Sequence, residues 1–128
     1  MKDGISGLGL VASLVPAVVT ATTKGSHADL QGFNSATLII NTGAIVGDGL
    51  YVIAMQESDT TTDGDFTDVA VGDLLGALPT ALEASTVYKQ GYKGSKRYIR
   101  AVVTKTSGTS IAAGAVFVLG YPHDAPVA

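Results

Sequence analysis

The densest group of residues able to do chemistry is the acidic run Asp59, Asp63, Asp65 and Asp68, punctuated by Gly64. Calcium wants several oxygens at close spacing around a turn that glycine permits. Asp59, Asp63 and Gly64 fit the helix-loop-helix calcium pattern, but Thr61 replaces an acid or amide, and Ala70 stands where the closing bidentate glutamate belongs. An acidic solvated hairpin loop is the simpler reading, and no metal is expected. For acyl transfer the chain offers Ser26, Ser35, His27 and His123, without a Gly-x-Ser-x-Gly elbow. Two histidines far apart in sequence make a poor zinc site without a third ligand. Cysteine is absent, which removes thiolate metal sites, a thiol nucleophile and a disulfide framework. The string Gly4-x-x-Gly7-x-Gly9 precedes no strand–helix unit, so a phosphate-cradling loop is unsupported. No catalytic residue and no cofactor are expected.

A second group mixes rings and bases: Tyr88, Tyr92, Lys93, Lys96, Arg97, Tyr98 and Arg100. Such residues grip sugars or phosphates, or form the Tyr/Arg centre of a protein interface. A protein contact is favoured over ordinary sheet surface and over nucleic acid or glycan. The charges are also segregated. Residues 1–84 hold ten acids and two bases, a balance of −8, and residues 85–128 hold six bases and one acid, a balance of +5. Either the strands of both halves interleave and the charges mix, or separate patches let copies dock. The net charge of −3 leaves a thin footprint for phosphate, so direct nucleic-acid binding is not expected.

The elements that must carry these groups are strands. A chain of 128 residues is one domain, and 15% charged residues is low for a free monomer. Thr, Val, Ile, Gly and Ser dominate, and no window shows a helical period. Strands are expected at residues 17–23, 36–42, 50–57, 66–71, 86–92, 97–104 and 113–120, with an eighth within 8–15. Turn residues separate them, with a hairpin signal at Asp63-Gly64. One helical turn or a wide loop is expected near residues 74–82, where Pro79 limits helix length. This predicts an all-β, antiparallel two-sheet sandwich of seven or eight strands, jelly-roll-like.

The ends look different. Residues 1–15 read as an extended apolar arm, 16–120 as the sandwich, and 121–128 as a proline-punctuated tail. The start faintly resembles a signal peptide, but Gly7 and Gly9 cut it and Pro16 stops it. No run reaches the length of a membrane span, and a soluble protein in a reducing compartment is expected. Ile5, Leu8, Leu10, Val11, Leu14 and Val15 are too apolar to leave in water, so the arm is expected to contact a sister subunit or another protein.

Three strings together resemble a known family. They are Gln56-Glu-Ser-Asp59 with Asp63-Gly-Asp-Phe-Thr-Asp-Val69, then Tyr88-Lys-Gln-Gly-Tyr-Lys-Gly-Ser-Lys-Arg-Tyr-Ile-Arg100, then Val118-Leu-Gly-Tyr-Pro-His-Asp-Ala-Pro126. They are similar to small structural proteins encoded in tailed-bacteriophage head gene clusters, over about residues 30–127. The resemblance implies a non-enzymatic virion component, made in the host cytoplasm and placed on the capsid exterior. Its role would be that of a decoration (cement) protein clamping major capsid subunits, as a homotrimer. A glycan-binding jelly-roll module of a fibre or spike, and a head–tail or tail structural protein, are the alternatives. The expected contact residues are those of the arm and of the 88–100 segment.

Overall fold

The computed structural model describes residues 3–123. They form ten strands and two single-turn 3-10 helices, with no α-helix among the described residues. The strands are β1 (Gly9–Val19), β2 (Thr23–Lys24), β3 (Ala28–Asp29), β4 (Phe33–Val46), β5 (Tyr51–Ser58), β6 (Thr67–Asp68), β7 (Leu74–Leu75), β8 (Val87–Tyr92), β9 (Tyr98–Lys105) and β10 (Ser110–Pro122). One sheet, here the long sheet, runs β1-β10-β4-β8-β7. The other, the short sheet, runs β2-β9-β5-β6, and β3 also pairs with β9. All pairings are antiparallel. The chain passes from sheet to sheet at most connections, which gives the eight main positions of a jelly roll with β7 added at one edge.

Alternation explains the core. In β9, Ile99, Ala101 and Val103 point inward; in β5, Tyr51, Ile53 and Met55 do; in β10, Ala113, Ala115, Phe117 and Leu119 do. Leu38 and Ile40 of β4 complete the layer. Each large apolar side chain so buried contributes about 1.5–3 kcal/mol against its exposed state.

Strand β1 corrects the expected boundary at residue 15. It pairs with β10 from Gly9↔Leu119 to Val19↔Ile111, so the segment read as an arm is largely an edge strand of its own sandwich. Register shifts between Ala12 and Leu14 and between Leu14 and Ala17 absorb Pro16. A proline is tolerated there because an edge strand needs no second ladder partner and a bulge needs no regular one. Gly114 lies beneath it: a Cβ there would stand 2.9 Å from the Pro16 ring. Ser13 turns inward at the irregularity, donating its Oγ–H to Ser26 O at 2.8 Å and accepting the Ala101 N–H at 3.0 Å. Thus β1 ties both sheets together. At the other end β10 continues through Pro122, past the expected limit of 120, and His123 N–H donates to Gly32 O. The rest of the expected tail lies outside the described residues.

The Asp63-Gly64 signal produces no two-residue turn. Strands β5 and β6 pair at Gln56↔Asp68 and Glu57↔Thr67, so residues 59–66 form a wide loop with a 3-10 turn at Asp63–Asp65. Ion pairs to other strands, described below, hold this loop against the short sheet, and a tight turn would not reach them. Residues 74–82 hold the short strand β7 followed by loop.

Candidate interaction surfaces

The ring-and-base segment divides between the two sheets, because residues 93–97 cross from β8 to β9. Tyr88 accepts the Glu83 N–H at 2.9 Å. Tyr92 is buried, donates to Glu57 Oε1 at 2.9 Å and accepts the Lys96 N–H at 3.0 Å. Burial, helped by the Glu57 carboxylate, raises the Tyr92 phenol above the ordinary tyrosine value. Gly94 lies against that phenol, where any Cβ would collide with the ring. Lys96 pairs with Asp59 at 3.0 Å. Arg97 forks onto Asp29 at 3.0 and 2.9 Å and lies 5.0 Å from the Tyr98 ring centre. Arg100, 6% exposed, donates twice to Gln56 Oε1 and once to Asp63 at 2.6 Å, with its guanidinium 4.2 Å from the centre of Phe66. Tyr92 and Arg100 therefore act inside the domain, while Lys93, Lys96 and Arg97 remain exposed.

These contacts also settle the charge split. Lys96–Asp59, Arg97–Asp29 and Arg100–Asp63 each join a base of the second part to an acid of the first. The interleaved reading holds for these charges, and a basic patch facing an acidic one is not what they form. The pairs depress their acids: the Arg97 hydrogen bond lowers Asp29, the Lys96 bond lowers Asp59, and the Arg100 and Lys24 bonds lower Asp63.

The acidic loop is occupied in the same way. Asp63 takes Lys24 and Arg100, Asp65 accepts the Thr60 hydroxyl, and Asp68 accepts the Gln56 amide. Among the described residues no group of three His, Cys, Asp or Glu gathers. His27 lies edge-on to Tyr98 at 5.2 Å, and His123 lies 3.3 Å from Asn34. Of the terminal apolar residues, Leu14 is core, Val11 is half-buried, and Ile5, Leu8, Leu10 and Val15 stay exposed.

A broader surface was missed by reading motifs. The outer face of the long sheet consists of cross-strand rows: Leu10–Val118–Thr37–Gly91–Leu75, then Ala12–Val116–Ile39–Lys89, then Gly114–Asn41–Val87, then Val18–Ala112. Lys89 is the one charge in those rows. Leu10, Val18, Val87 and Leu75 are 54–69% exposed. A groove of about 700 Å³ crosses the part bounded by β1, β10 and β4. The outer side of the short sheet differs: it carries Lys24, Arg100, Gln56 and the acidic loop. The signal was present in residues 110–120, where both parities are apolar or small and no charge occurs.

No protein-family model matches the chain, and no curated protein matches it in sequence. Solved structures do match in fold. The SPBc2 prophage-derived protein YomS superposes with a TM-score of 0.54 at 12% identity, covering 92% of this chain and 98% of that one. The VP2 subviral particle of infectious bursal disease virus gives 0.49 at 12% identity, covering 91% of this chain and 33% of that one. PirA gives 0.44 at 14% identity, covering 94% and 97%. The likeness to YomS bears on the fold alone, and the two looser superpositions add nothing to it. No helix among the described residues is long and apolar enough to cross a membrane.

Proposed function

We propose that this chain is a non-enzymatic structural protein of a tailed-bacteriophage particle, a decoration protein that binds major capsid subunits on the outside of the head. The observation that carries this reading is the outer face of the long sheet, a broad surface with one charge on a domain of ordinary size. Surfaces of that kind serve protein contact rather than turnover. The titratable groups support it. Asp29, Asp59 and Asp63 hold bases, and Glu57 holds a buried phenol. The likeness in fold to a prophage-derived protein agrees with the source that the sequence motifs suggest. A protein that binds only the assembled shell stabilises it by mass action.

Copy number in a purified particle tests the proposal. Quantitative mass spectrometry is expected to find on the order of hundreds of copies, as the symmetry of a shell requires. About six or twelve copies would assign the chain to a connector or tail instead, and absence from the particle would end the reading.

A further inference from the structure

We infer that the outer face of the long sheet is a self-association surface, covered by the same face of a second copy across a two-fold axis. The inference rests on the same face as the proposed function and names its occupant in the free chain, so copy number in the particle tests the first reading and sedimentation of the isolated chain tests this one.

Three observations choose this occupant. The first is charge. The face carries Lys89 alone, so a partner must be apolar over the same extent, and this chain presents such a surface itself. The second is relief. The β1 side is a groove: Gly114 and Ala112 have little or no side chain, Pro16 folds over Gly114, and Val18 forms a wall. On the β8–β7 side Val87 and Leu75 stand up from the sheet, 65% and 54% exposed, with Leu75 lying across Gly91, as Leu10 and Val18 do beside the groove at 69% and 66%. A two-fold axis between the two sides sets Val87 and Leu75 of each copy into the partner's groove, the condition for an isologous contact. The third is size. Four strands about 4.8 Å apart and four rows about 6.8 Å apart span roughly 20 by 25 Å, or about 500 Å² per copy. A pair then buries about 1,000 Å², where specific interfaces begin. Lys89 sits on the β8–β7 side, where its stem can cover apolar surface while the ammonium reaches the rim.

This replaces the charge-driven association that the sequence suggested. Asp29, Asp59 and Asp63 and the bases Arg97, Lys96 and Arg100 are engaged within the chain, and the face itself carries one charge, so salt is not expected to dissolve the pair.

Sedimentation of the full chain across protein concentration and salt is the test. The expected result is a monomer–dimer equilibrium that salt leaves intact or strengthens. Val87→Lys or Val18→Lys weakens it by about tenfold or more, since each buries a charge against an apolar partner. Val71→Lys, on an exposed residue of the second 3-10 turn outside the rows, leaves it unchanged. Thermal melts check that each variant is folded. If either lysine variant misfolds, Val87→Ser and Val18→Ser repeat the comparison. A wild-type monomer at every concentration overturns the inference, as does an oligomer that salt dissolves or that the face variants leave untouched. If the wild type is monomeric and the face variants lose binding to particles, the occupant is the capsid and the second copy is excluded.

Discussion

Arg100 shows how one residue can look like a surface contact and act as an internal anchor. Its guanidinium bridges Gln56 and Asp63 and covers Phe66, so it clamps loop 59–66 onto β9 and β5. Lysine cannot reproduce the fork, the stacking and the third bond at once. Arg100→Ala is expected to cost about 2 kcal/mol, from the lost bonds to the Gln56 carbonyl and the lost ring contact. Arg100→Lys is expected to recover less than half of that. Denaturant melts of the two variants check it, and no change in either would mean that the clamp contributes nothing.

At the scale of the element, β1 decides what the N-terminal segment does. It supplies Leu14 and Val19 to the core and bonds Ser13 to Ser26 and Ala101. Deleting residues 1–15 removes the first part of this strand, with Ser13 and Leu14, and leaves the β10 ladder open along that length. The truncated chain is expected to unfold or aggregate. A detachable arm would leave thermal stability near normal. Leu14→Ala, a milder form of the same test, is expected to cost about 2–5 kcal/mol, the range for opening a cavity in a packed core. A loss under about 0.5 kcal/mol would return the segment to the surface.

The whole molecule is bounded in pH from both sides by its polar contacts. Asp29, Asp59 and Asp63 sit below their unfolded value near 3.9, so their contribution is full above that value and is lost as pH falls through the lower folded values. Tyr92 sits above its unfolded value of about 10, so its contribution is full below pH 10 and drains away above it. Thermal stability is therefore expected to be level in the neutral range, to fall below about pH 4 and to fall again above about pH 10. Tyr92→Phe should flatten the alkaline limb while leaving the acid limb in place. A melting profile that is unchanged on the alkaline side in the variant would show that other groups carry it.

The all-β class is legible in the residues alone, because an alternation of period two with glycine-rich turns is a local property. So are β4, β5, β8, β9 and β10, to within a few residues, since β-branched runs such as Ile99 to Val103 have one way to bury a face. The relations between distant residues come from the folded chain. Arg97 and Asp29 are 68 positions apart, and Ser13 and Ala101 are 88 apart. No local rule assigns such partners, so a charge split that reads as two patches becomes a set of internal pairs. Pro16 reads as a stop in any window, yet becomes a bulge once Gly114 leaves room beside an edge strand. The apolar outer face emerges only when β1, β10, β4 and β8 are laid side by side, because each strand contributes a few ordinary residues and only their registration makes a surface.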